Sequence, residues 1–90
     1  MATMIVKLRV TNFDHWKSVF DSMGKARLEY GRTSGSIHRD AADPNVVVIV
    51  NRFSSLDGAK RYGGSEVLRA AMVRAGVEGP PEIQFLEDVA

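Results

Sequence analysis

The sequence predicts one α+β domain over residues 1–90 with element order β, α, β, β, α, β, and three observations predict it. Apolar residues alternate near the start of the chain, two later segments carry helical spacing with capping residues, and an unbroken β-branched run, Val46 to Val50, lies between them. Ninety residues support a single hydrophobic core, so no second domain is expected.

From Met4 to Val10 the residues Met4, Val6, Leu8 and Val10 share one side and Ile5, Lys7 and Arg9 the other, which is strand period. Thr11 or Asn12 can then cap a helix, with Asp14 favourably placed near its positive end. Phe13, Trp16, Phe20, Met23 and Arg27 follow at spacings of three and four, the first four forming an apolar stripe, and Gly31 ends the helix. Thr33 to Asp40 holds Ile37 among small and polar residues, which suits an edge strand. Asp43-Pro44-Asn45 is a turn by its chemistry, and the valine-rich run after it is too short and too β-branched for a helix. Ser54-Ser55-Leu56-Asp57 repeats the capping pattern for a second helical region reaching Ala75, with Gly76 as its stop. Gly63-Gly64 divides that region and Ser65 can cap a fresh start, so a short helix precedes a longer one with Leu68, Ala71, Met72 and Ala75 inward. After Gly79-Pro80-Pro81, the residues Ile83, Phe85 and Leu86 predict the last strand.

This order is that of the split βαβ unit, a ferredoxin-like sandwich with the helices on one face of an antiparallel sheet. The other face is then bare. Val47 and Ile49 point to one side of their strand and Val46, Val48 and Val50 to the other, and a strand apolar on both faces is buried on both. A second copy of the chain is the economical cover, which predicts a homodimer closing two sheets into a dimeric α/β barrel. Which of the two faces is the shared one stays open at this point.

Twelve basic against eleven acidic residues leave a formal charge of +1, too little for the positive field that nucleic acid or an anionic membrane requires. With no cysteine, disulfides and thiol chemistry are excluded. The longest apolar run falls far short of the roughly 20 residues of a membrane helix, and Lys7 and Arg9 interrupt the apolar start where a signal peptide would be continuous. A soluble cytoplasmic protein is expected.

Chemistry-bearing residues are few. His15 and His38 lie on different elements without a metal-binding spacing, so no metal is expected, and no serine sits in a nucleophile elbow. Gly63-Gly64-Ser65 lacks the spacing of a phosphate loop and reads as a helix break. Trp16 is either core or an aromatic platform. Asn51 ends the Val47 and Ile49 row, where a polar amide needs a partner: either backbone near the strand end or a ligand. His38 is an exposed edge residue or a group that orients substrate oxygen or takes a proton. Its neighbour Arg39, like Arg9 and Arg52, either pairs with an acid or binds a carboxylate or phenolate. Tyr62, just before the helix break, gates a cavity or packs beneath it.

Asn12-Phe13-Asp14-His15-Trp16-Lys17 through Phe20-Asp21, the Asp43-Pro44-Asn45 turn before its valine strand, Ser65 to Leu68, and Ala75-Gly76-Val77-Glu78-Gly79-Pro80-Pro81 together carry a resemblance. They resemble small bacterial proteins labelled antibiotic-biosynthesis-monooxygenase-like or "cyclase", of the dimeric α/β barrel superfamily, over nearly the whole chain. The resemblance implies a cofactor-independent oxygenase or cyclase, using neither metal nor flavin. Its members bind an electron-rich aromatic, polyketide-like substrate between sheet and helices, and the deprotonated substrate itself reduces oxygen. His38 and Asn51 are then the candidate catalytic residues, and Trp16, Tyr62 and Arg39 the candidate substrate-binding ones. A haem-degrading branch has a histidine on its second helix, and none lies between Ser54 and Ala75 here. The alternative is a non-enzymatic ligand-binding or stress-associated dimer whose interior is filled by Trp16, Phe20 and Met72.

Overall fold

A computed structural model describes residues 1–90, and its elements are β1 (Ala2–Val10), α1 (Phe13–Ser22), α2 (Gly24–Glu29), β2 (Arg32–Arg39), β3 (Val46–Phe53), α3 (Leu56–Gly63), α4 (Glu66–Arg74) and β4 (Val77–Glu87). The four strands form one antiparallel sheet in the order β2-β3-β1-β4, so β1 and β3 are central and the polar β2 lies at an edge. This is the ferredoxin-like α+β arrangement, each of its two helical connections being a pair of short helices.

Capping side chains start three of the helices. Asn12, Ser55 and Ser65 each accept a hydrogen bond from the backbone N–H three residues on, at His15, Gly58 and Leu68. The Asp43-Pro44-Asn45 turn closes through Asn45 N–H to the Asp43 carboxylate at 3.1 Å and Val46 N–H to the Asp43 carbonyl at 3.0 Å. The Asn45 N–H, and then the Arg9 guanidinium bonded to the same side chain, hold the Asp43 carboxyl below the usual carboxylate range.

Two boundaries differ from the sequence expectation. The first helical segment is not continuous but breaks at Met23, whose backbone leaves helical geometry. At the break the Phe20 carbonyl accepts both from Met23 N–H and from the Arg27 guanidinium, a local bond that competes with the helix ladder. The last strand begins at Val77, before Gly79-Pro80-Pro81 and not after it. Proline within it is tolerated because β4 is an edge strand, and its pairing with β1 shifts register between Lys7 and Arg9, opposite the prolines.

Strand alternation assigns the faces. Met4, Val6, Leu8 and Val10 of β1 and Val47, Ile49 and Phe53 of β3 are buried under the helices together with Trp16, Ala59, Tyr62 and Ala75. Val46, Val48 and Val50 are half-buried on the opposite side, where Ile5 lies beside Val50, and Lys7 and His38 flank Val48. The helix-free face is therefore the Val48 face.

Candidate functional site

The concavity between sheet and helices is assembled from residues whose direction is fixed by period. On β3 the two-residue repeat carries Val47, Ile49 and Asn51 inward, so a single amide follows two aliphatic groups beneath the helices. On α1 the three-to-four spacing stacks Phe13, Trp16 and Phe20 into a ladder, with ring centroids 5.8 Å and then 5.1 Å apart. Tyr62, near the end of α3, tilts against Tyr30 and Phe53 at 5.4 Å and 5.9 Å. Leu68 and Met72 of α4 close the remaining side.

Of these, Trp16, Phe20, Ile49, Asn51, Tyr62, Leu68 and Met72 line a cavity of about 50 Å³. Its lining is apolar except for Asn51 and the phenol of Tyr62. Leu68 and Met72 also line a surface groove of about 180 Å³ beside the Gly63-Gly64 break, so the groove and the cavity share two flexible side chains.

Asn51 is 2% exposed, and its Oδ1 accepts from Arg32 Nε at 2.7 Å. With the carbonyl oxygen so engaged, the amide NH₂ is the group left to donate to anything held in the cavity. Gly35 permits this arrangement: a Cβ there would lie 2.5 Å from Arg32 Nη2, 2.6 Å from the Val50 carbonyl and 2.9 Å from Asn51 Oδ1. Near Tyr62 lies a second guanidinium. Arg27 is 4% exposed, its Nη1 donates to the Phe20 carbonyl at 2.8 Å, its Cζ sits 3.8 Å from the Phe20 ring centroid, and its Nε has no partner.

The two arginines and Tyr62 sense one another. Burial, and then the charge of Arg27, lower the Arg32 pKa. Burial pushes the Tyr62 phenol up, against the pull of Arg27 and Arg32. The neutral phenol thus contributes stability that is fully present below about pH 10 and is lost as pH rises through its raised folded value. Tyr62→Phe is expected to remove that alkaline loss, read as a melting temperature that falls less between pH 9 and 11 than in the wild type.

Of the residues singled out in the sequence, Trp16, Asn51 and Tyr62 meet at this cavity. The other two do not line it. His38 pairs with Val48 and so projects from the bare face, its Nε2 2.8 Å from Ser36 Oγ, with the thickness of the sheet between it and Asn51. Arg39 pairs with Val47 on the helix side, but at the edge, where its guanidinium covers the Phe13 ring at 4.1 Å and donates to the Pro44 carbonyl. Arg9 bonds Asp43, and Arg52 bonds Thr3 while lying 4.0 Å from Asp88. Sequence reasoning passed over Arg27 and Arg32. Arg27 was the fifth member of the α1 spacing, which is the signal that a charged side chain would point inward.

No family model and no curated protein sequence matches the chain. Solved structures do match it in fold. The cofactor-independent oxygenase SnoaB from Streptomyces nogalater superposes with a TM-score of 0.77 at 14% identity, over 99% of this chain and 93% of that one. A candidate antibiotic biosynthesis monooxygenase from Caulobacter crescentus gives 0.75 at 21% identity, over 99% and 90%. Another from Bordetella bronchiseptica gives 0.77 at 13%, over 99% and 97%. The latter two carry the name of the group that the sequence motifs resemble, and at such identities what all three share with this chain is the fold.

Proposed function

We propose that the protein is a cofactor-independent oxygenase that oxidises a small electron-rich aromatic molecule in the cavity between sheet and helices. The observation that carries the reading is an apolar cavity with one buried amide whose oxygen is held by a guanidinium, leaving its N–H groups to face a substrate oxyanion. In the proposed reaction the substrate anion passes one electron to O₂, and the resulting radical and superoxide join to form a carbon–oxygen bond. The peroxide then loses water to leave a carbonyl. One oxygen atom ends in the product and the other in water, the substrate CH₂ or ring C–H supplying both electrons and protons. Asn51 stabilises the anion, and Trp16 and Tyr62 hold the ring by stacking and by shape. The low polarity of the lining strengthens the amide–anion interaction. In this reading two copies pair through the Val48 faces, which supports the homodimer, and the cysteine-free chain suits the reducing cytoplasm.

At about 50 Å³ the cavity is smaller than the few hundred Å³ a bound aromatic occupies, so substrate must displace Leu68 and Met72 toward the groove. Met72→Ala is expected to merge the two spaces. It should cost about 1–3 kcal/mol in stability for a half-buried methionine and admit a larger aromatic, measured by thermal melting and by calorimetric titration. The same small volume favours a second reading, a non-enzymatic ligand-binding or stress-associated dimer whose interior Trp16, Phe20 and Met72 fill.

Oxygen consumption by the purified protein with anthrones and hydroquinones tests the first reading. Uptake that scales with enzyme and persists with chelator supports it. No uptake and no binding across the panel leaves the second.

A further inference from the structure

We infer that α4 is a hinged wall that swings outward as a unit to admit a molecule to the cavity, and that His15 is the latch that holds it shut; this rests on the ligand-binding reading of the cavity. A closed space of about 50 Å³ is too small for a substituted aromatic ring, so one wall has to move. The sheet is held by its ladders, and α1 by the Arg27 guanidinium at the Phe20 carbonyl and by Arg39 over the Phe13 ring. α4 is tied far less. Leu68, Ala71 and Met72 face the cavity from it, but its polar bonds are internal: Ser65 caps it through Leu68 N–H, and Glu66 pairs with Arg69 three residues on. Such bonds travel with the helix and keep it whole when it moves.

The side-chain hydrogen bond that joins α4 to another element is that of His15, whose Nε2 donates to the Arg74 carbonyl at 2.8 Å. It is solvent-exposed, and water can replace either partner, so it holds the helix end in place at small net cost to release. Both ends of α4 are jointed. Gly63 is fixed against the sheet, since a Cβ there would lie 2.5 Å from Phe85 Cζ, whereas at Gly64 nothing lies nearer than the Lys60 carbonyl at 3.5 Å. Ser65 Oγ donates to the Tyr62 carbonyl at 2.7 Å, so this end pivots beside α3 while the Arg74 end travels. Beyond that end stands Gly76 with φ +74°, and its carbonyl accepts from Thr11 N–H at 3.1 Å. Rotation within Gly76 therefore lets α4 move while β4, which follows, stays anchored. The swing carries Leu68 and Met72 away from the sheet together, and the route it opens leads onto Trp16.

The test is thiol labelling of the full chain with Ellman's reagent. The chain has no cysteine, so Ala71→Cys places a single thiol on the cavity side of α4, and Val47→Cys places one in the core on β3, away from the cavity. Where Ala71→Cys does not fold, Ala75→Cys takes its place, being equally buried on the same lining. With each rate corrected for that of the denatured protein, the α4 thiol is expected to react at least about tenfold faster than the core thiol, which reacts only on global unfolding. His15→Ala should speed the α4 thiol a further three- to tenfold or so, as the loss of one exposed hydrogen bond implies, and leave the core thiol unchanged. His15→Gln, which keeps an N–H donor at similar reach, should restore the slower rate. Equal rates for the two thiols, or a His15→Ala effect on both or on neither, would overturn the inference. The oxygenase reading fails separately: selective labelling of the α4 thiol without oxygen uptake on hydroquinones sinks only that reading, and uptake with equal labelling of both thiols sinks only the hinged wall.

Discussion

Val48→Lys is expected to leave the fold intact and abolish the proposed homodimer, while Val47→Lys is expected to unfold the chain. The two residues are adjacent and chemically identical, so the sheet alone separates their effects. Val47 is fully buried beneath the helices, and a lysine there has no acid to meet. Burial of an unpaired ammonium costs several kcal/mol, a large part of the roughly 5–15 kcal/mol that holds a domain together. Val48 is half-buried on the helix-free face, between Lys7 and His38. A lysine at 48 stays hydrated in the monomer, but two-fold pairing would bring it and Lys7 against their own copies. Light scattering with circular dichroism reads both outcomes. A folded Val48→Lys protein that still weighs as a dimer, or a wild type that is a stable 9.9 kDa monomer at micromolar concentration, would refute pairing through this face.

For Asn51→Leu we expect oxygen uptake to fall about 100- to 1000-fold, the usual loss when one donor to a developing oxyanion is removed. The drop should appear in kcat far more than in KM, since the amide is asked to favour the anionic transition state over the bound ground state. A separate cost of about 1–3 kcal/mol in stability follows from leaving Arg32 Nε without its acceptor. Comparing activity well below the melting temperature of each protein keeps the two effects apart. Activity equal to the wild type would reduce Asn51 to a brace for Arg32.

Much of the fold was legible because local signals agreed with one another. Asn12, Ser55 and Ser65 announced three helix starts, and the alternation of β1 and the β-branched run of β3 announced central strands. The break at Met23 was not legible, since it depends on the Phe20 carbonyl bonding the side chain of Arg27, seven residues on. Nor was the early start of β4: Gly79 and two prolines read as a turn unless one knows that the strand lies at an edge. In the site, Asn51 followed from the period of β3. The place of His38 could have followed from Ile37 in the same way, because an inward isoleucine sends its neighbour outward. β2 is so polar that period alone gave little reason to trust the assignment. Arg27 and Arg32 escaped notice because charge in a sequence reads as surface, and only packing reveals which cations lack an acid.

The prolines of β4 bear on how copies of this chain can add together. A sheet margin whose N–H groups are free can recruit another strand, and that strand another, so that growth has no natural end. Pro80 and Pro81 lack those N–H groups, and the shifted register opposite them disturbs the even ladder that a newcomer would need. Lateral polymerisation along this margin is thereby discouraged, whereas the proposed pairing through the Val48 face would be unaffected and, being two-fold, would end at two copies. The same short segment that obscured where the last strand begins therefore discourages open-ended growth at the β4 margin.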